Sequence, residues 1–214
     1  MNNKIAWKRL LLRNQSVVLI EILILIFLIV SVLEPRFISS VNIKNILQQS
    51  AVLGIVSLGM NLLMISGGLD LSIGSVIGLS TCVITTLVSK GVSLPLSLIV
   101  GCITSIICGF LNGVIIAKSK GFPFVITLGT MSIFYGIALI ITGGNSHSLN
   151  GQFSIIGQEN LWFLPYSTFI WMLLALGLYL LLKHFKFGRS LYILGGNAKA
   201  AHLSGVNTER IRIF

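Results

Sequence analysis

LPLSLIVGCITSIICGFLNGVIIA, residues 94–117, runs through the middle of the chain without one charged side chain. A helix rises about 1.5 Å per residue, so this stretch is long enough to cross the ~30 Å hydrocarbon core of a bilayer. Its apolar residues do not alternate with polar ones, as a strand of a membrane barrel would require. In lipid every backbone N–H and C=O must find a partner within protein, which leaves the α-helix. Runs of the same kind lie at 17–33, 46–65, 71–88, 124–142 and 161–182. The fold class expected is therefore all-α integral membrane, with about six transmembrane helices.

Composition agrees. Of the 214 residues 55% are hydrophobic and 9% charged, and the mean hydropathy is +0.97. A soluble domain carries about 25% charged residues. The net charge of +10 is not a nucleic-acid footprint, because the basic residues sit between apolar runs and not on one face. With six spans alternating from a cytoplasmic N-terminus, the inside holds Lys4, Lys8, Arg9, Arg13, Lys118, Lys120, Lys183, Lys186, Arg189, Lys199, Arg210 and Arg212. Outside fall only Arg36, Lys44 and Lys90, which completes the 15 Lys and Arg. This bias follows the positive-inside rule and places both termini in the cytoplasm.

Three regions result: a cytoplasmic basic N-terminus over 1–16, a six-span membrane domain over 17–182 and a cytoplasmic segment over 183–214. The run 17–33 exceeds a secretory signal core, lacks a small-residue cleavage site and ends in Glu34-Pro35-Arg36, so it reads as a retained span. Residues 4–13 interleave Ile5, Trp7, Leu10 and Leu11 with four cations, the pattern of a short interfacial helix or of a basic tail. The turn 66–70, SGGLD, carries no basic residue and is very short. It forms either a tight hairpin or a broken segment buried in protein.

Asp70, the chain's one aspartate, follows Gly67 and Gly68 and precedes Ser72 within an apolar stretch. An ionisable group in such a place is costly unless paired or wet, which makes these residues candidates for a translocation path. The alternative is structural, with Asp70 capping the third helix while the glycines end the second. Glu21, inside the first span, reaches the interface by extending its side chain. Gly101, Ser105, Gly109 and Gly113 recur at four-residue spacing and form a seam along which helix backbones approach. The loop 143–160 holds Asn145, His147, Asn150, Gln152, Gln158 and Glu159 without a cation, and suits either an outside partner or plain solvation. Cys82, Cys102 and Cys108 read as small packing residues. His147, His184 and His202 share no ligand spacing, so no metal is expected.

Beyond the last span, Asn197 stands as an N-cap and Gly205 as a C′ residue around Ala200, Ala201 and Leu203. A helix over 197–204 is expected there, outside the membrane, with a docking role or none. Residues 208–214 read as the first turns of another helix.

The segments SGGLDLSIGS at 66–75, LNG at 111–113 with Ala117-Lys118, FVITLGTM at 124–131, TGG at 142–144, FGR at 187–189, GGN at 195–197 and LSGVN at 203–207 together resemble the ribose-type permease family of ATP-binding-cassette importers. The resemblance runs in order from about residue 40 to the end. It implies a bacterial inner-membrane protein that pairs with a second permease subunit, an ATPase and an extracytoplasmic sugar-binding protein, for a monosaccharide or similar small solute. It also implies that Gly196, Asn197, Ala200, Ala201, Leu203 and Gly205 belong to the coupling helix. Family members are about half as long again and normally have about ten spans, so the chain is expected to be the N-terminal part of a permease, with the helix starting at 208 incomplete. The chain has no GxxxxGK[ST] loop, so ATP would be bound by the partner and no cofactor by this chain. An ion-coupled transporter or channel is the alternative, but it calls for several intramembrane ionisable groups, and only Asp70 and Glu21 come near. No HExxH, GxSxG or carboxylate pair points to an enzyme.

Overall fold

The computed structural model describes residues 15–119, 121–145, 147–149, 151–152, 160–161 and 164–213. The N-terminal segment 4–13, Lys120, Asn150, Gln158 and Glu159 lie outside the described residues. Nine α-helices are present among the described residues: α1 Gln15–Leu33, α2 Ser40–Ile65, α3 Ile73–Ser89, α4 Leu94–Ser119, α5 Pro123–Thr142, α6 Tyr166–His184, α7 Lys186–Gly196, α8 Ala198–Leu203 and α9 Thr208–Ile213. Five of them, α1, α2, α4, α5 and α6, are long and apolar enough to cross a membrane, and α3 is a shorter apolar helix. The all-α membrane architecture with about six spans is thus observed.

Two compact units divide the chain at residues 49 and 50. In the first, α1 is apolar along most of its length, with Glu21 as its one charged residue, and buries none of its span, as befits a helix whose solvent is lipid. A 3₁₀ turn, Pro35–Ile38, follows it. The Glu34 carboxylate accepts the Arg36 N–H, and the Phe27 and Phe37 rings meet edge to face at 5.2 Å. Ser39 Oγ accepts the Asn42 N–H at 3.3 Å. That bond satisfies a free donor at the helix start. It explains why α2 begins at Ser40 and not at 46, so that Lys44 is a helical residue and not part of a loop.

In the second unit, α3 packs on both α4 and α5. Leu79, Cys108, Phe134 and Ala138 form the buried core between these helices, with Val76, Cys82 and Val83 against it. The Gly101 half of the four-residue seam meets α3. A Cβ on Gly101 would press on the Ile84 side chain and lie 3.4 Å from the Ser80 carbonyl, and Ser105 Oγ lies 2.6 Å from Ser80 Oγ. Gly109 faces open space.

Two further boundaries differ from the sequence expectation. The last span begins at Tyr166 and not at 161, because the residue before a proline is held extended. Asn160–Leu161 and Leu164–Pro165 instead pair as two short antiparallel strands. The stretch 186–196, for which no element was expected, is the helix α7, whose buried face is Gly188, Leu191 and Leu194. That spacing is one helical face. At the corner between α6 and α7 a Cβ on Gly188 would meet the Leu181 and Leu182 backbone.

Candidate functional site

The connection between α2 and α3 is a broken segment and not a tight hairpin. Gly67 has φ 79°, the left-handed conformation that a residue without Cβ adopts at least cost. Its N–H donates to the Met64 carbonyl at 3.0 Å and that of Gly68 to the Leu63 carbonyl at 2.9 Å. This bonding pattern is the Schellman motif, and it satisfies the last carbonyls of α2. Residues 68–72 then pass to α3 as irregular backbone.

Side chains of α4 and α5 hold that backbone. Asn112 Nδ2 donates to Asp70 Oδ2 at 3.2 Å and to Ser72 Oγ at 2.7 Å. Thr127 Oγ1 accepts the Leu71 N–H at 3.2 Å while donating to the Pro123 carbonyl at 2.9 Å. Ser72 and Thr127 are fully buried, and Asn112 is 2% exposed. Asn112 lies two turns before the end of α4 at Ser119, about 10 Å along the axis. The polar knot therefore lies inside the bundle and not at its rim. Among the described residues Asn112 Oδ1 is buried without a partner, which costs about 1–3 kcal/mol.

Asp70 does not act as the helix cap expected from sequence. Its Oδ1 accepts the Ser72 N–H at 2.7 Å, which is a turn of the side chain onto its own backbone two residues on. The residue at the N-cap of α3 is Ser72 itself, whose side chain makes no capping bond. It is turned to Asn112 instead.

Gly67, Gly68 and Asp70 border a cavity of about 410 Å³, walled by Leu63, Phe110 and Leu191 among others. Gly109 and Gly113 line it too, so the second half of the seam serves open volume where the first half serves helix contact. The size falls within the ~300–1,000 Å³ of small-molecule sites.

The short helix α8 has the caps its sequence dictates. Asn197 Oδ1 accepts from the Lys199 and Ala200 N–H groups at 3.0 and 3.1 Å. Gly205, at φ 79°, and Val206 donate to His202 and Ala201. Leu203 is 88% exposed, whereas Ala201 is fully buried. Ala201 thus seats α8 on its own chain.

Sequence reasoning missed Asn112 as the partner of Asp70 and Thr127 as the partner of the Leu71 N–H. The signal existed for Asn112, an amide in the middle of an uncharged apolar run. Among the described residues no group of three His, Cys, Asp or Glu side chains is placed to hold a metal ion.

Residues 42–214 match the family model described as branched-chain amino acid transport system / permease component. The chain belongs to that family. It is similar to the ribose import permease protein of Bacillus subtilis, 36% identical over 195 residues covering 90% of this chain and 61% of the relative. The ribose import permease protein of Escherichia coli is 32% identical over 216 residues, 98% of this chain and 65% of the relative. An autoinducer 2 import system permease protein of Escherichia coli is 30% identical over 203 residues, 94% of this chain and 59% of the relative. The chain thus spans less than two thirds of the length of these relatives. No solved structure matches. The resemblance to ribose-type permeases read from the motifs is borne out, and so is a multi-pass membrane protein of the transport class.

Proposed function

We propose that the chain is a membrane-spanning permease subunit of an ATP-driven importer for a monosaccharide or similar small solute. It lies in the bacterial plasma membrane with its N-terminus in the cytoplasm, beside a second permease subunit. An extracytoplasmic binding protein delivers the solute. A separate ATPase binds ATP and docks on the segment 196–205, through the free faces of Gly196, Asn197, Ala200, Leu203 and Gly205.

One observation carries this reading within the permease family: a helix capped at both ends, placed after the last span, that displays Leu203 at 88% exposure. A leucine that stands clear of its own chain at a capped helix end is free to enter a hollow on a partner. The polar knot at Asp70, Ser72 and Asn112 and the adjoining cavity lie on the solute's route in this reading.

The test is uptake of labelled pentoses and hexoses by cells lacking the gene, restored with the gene in its natural setting. Uptake is expected to require the ATPase and to fall when residues 195–205 are removed. Uptake that follows an ion gradient and persists without the ATPase refutes the reading. Asp70→Asn is expected to lower uptake at normal expression, and unchanged uptake removes Asp70 from the route.

A further inference from the structure

The last turn of α7 touches the broken connection directly. A Cβ on Gly195 would fall on the Ile65 carbonyl oxygen and lie 3.2 Å from the Gly67 nitrogen. From the other side, a Cβ on Gly67 would lie 3.5 Å from Gly195 Cα. Backbone rests on backbone, with no side chain between. Gly67 has its own reason to be glycine, its positive φ; Gly195 is helical, so its reason is this approach alone.

On one side of the contact, Asn197 ends α7 and starts α8, so the two helices share one residue as their joint. On the other side, Ile65 ends α2, and five residues on Asp70 enters the polar knot with Asn112 of α4.

We infer that Gly195 is the positioning residue through which movement of α8 reaches the 65–72 connection. This rests on the permease reading above, in which a cytoplasmic ATPase moves α8. A contact through side chains absorbs displacement by changing rotamers, whereas two packed backbones have no such freedom. Displacing α8 therefore shifts Ile65 and Gly67, and with them the segment that holds Asp70 and Ser72 on Asn112.

The neighbouring glycine supplies the control, since a Cβ on Gly196 meets nothing within 4 Å. In the complete importer reconstituted with its ATPase and binding protein, Gly195→Ala is expected to keep assembly and ATP hydrolysis. Solute carried per ATP falls roughly two- to thirtyfold, the range of coupling changes from single substitutions. Gly196→Ala keeps the native ratio. An unchanged ratio in Gly195→Ala, or equal loss in both variants, overturns the inference. So does a loss in which hydrolysis, assembly and transport fall together, the mark of a merely structural glycine.

A second measurement needs no variant. In the native complex, trapping the ATPase with a non-hydrolysable nucleotide is expected to change amide exchange at Gly67 and Gly68 together with α8. Change confined to α8 overturns the inference even if Gly195→Ala does not assemble. If the native complex shows no ATP-dependent uptake, the permease reading itself fails, and the inference with it.

Discussion

Exchanging the two partners of the Asp70–Asn112 bond measures how firmly the broken connection is braced. In Asp70→Asn the new side chain still offers an oxygen to the Ser72 N–H, 2.7 Å away in the native chain. Its amide nitrogen then faces Asn112 Nδ2, so that two donors oppose each other across 3.2 Å. The bond lost is one to a charged acceptor, about 1.5–3 kcal/mol. Asn112→Asp alone places two carboxylates at that 3.2 Å separation, a repulsion of about 5 kcal/mol at an effective dielectric constant of about 20. The double exchange again sets a donor opposite an acceptor, and the Ser72 hydroxyl rotates from accepting to donating. Each single variant is therefore expected to be less stable than the native chain, and the double variant more stable than the sum of the two losses by at least about 1.5 kcal/mol. Unfolding by SDS titration in mixed micelles, followed by circular dichroism and tryptophan fluorescence, supplies the four values. Losses that add to within about 0.5 kcal/mol refute the bond as a brace.

The divided seam on α4 predicts opposite outcomes for one chemical change. Gly101→Ala presses on Ile84 and is expected to cost about 1–3 kcal/mol, whereas Gly109→Ala enters open space and stays within about 0.5 kcal/mol; equal effects in the same titration refute the division. Asn197→Ala removes two accepted bonds at the start of α8, a loss of about 1 kcal/mol. Amide exchange at Lys199 and Ala200 is expected to quicken roughly fivefold, and unchanged rates show that another group caps the helix.

The membrane architecture was legible because it rests on uninterrupted apolar length, which a one-dimensional scan measures directly. The helix at 197–204 was legible for a second reason: its caps, Asn197 and Gly205, act on backbone within three or four residues of themselves. The errors fall where the partner is distant. Asp70 looked like a cap because its local neighbours allow one, and only the fold brings Asn112, on another helix, within reach. The start of α6 failed for a local reason that was overlooked, the restriction Pro165 places on Leu164. The helix α7 was missed because its buried face is built from Gly188, Leu191 and Leu194, a stripe in which glycine hides the apolar period. No pattern in the sequence marks Gly195, since its reason for being small is a carbonyl oxygen at the end of α2.

The spans are unequal. The 17 residues of α3 measure about 26 Å, whereas the 26 of α4 measure about 39 Å. A hydrocarbon layer about 30 Å thick is overfilled by α4, which adapts by tilting, and underfilled by α3, which cannot lengthen. Non-helical residues flank α3 on both sides, 66–72 before it and 90–93 after it, and their length is not set by helical rise. Bilayer thickness thus bears on the chain unevenly, and one of the two segments on which a thicker membrane draws holds Asp70. Hydrophobic mismatch becomes a control on the knot from the lipid side, independent of any protein partner, with acyl-chain length as its adjustable variable.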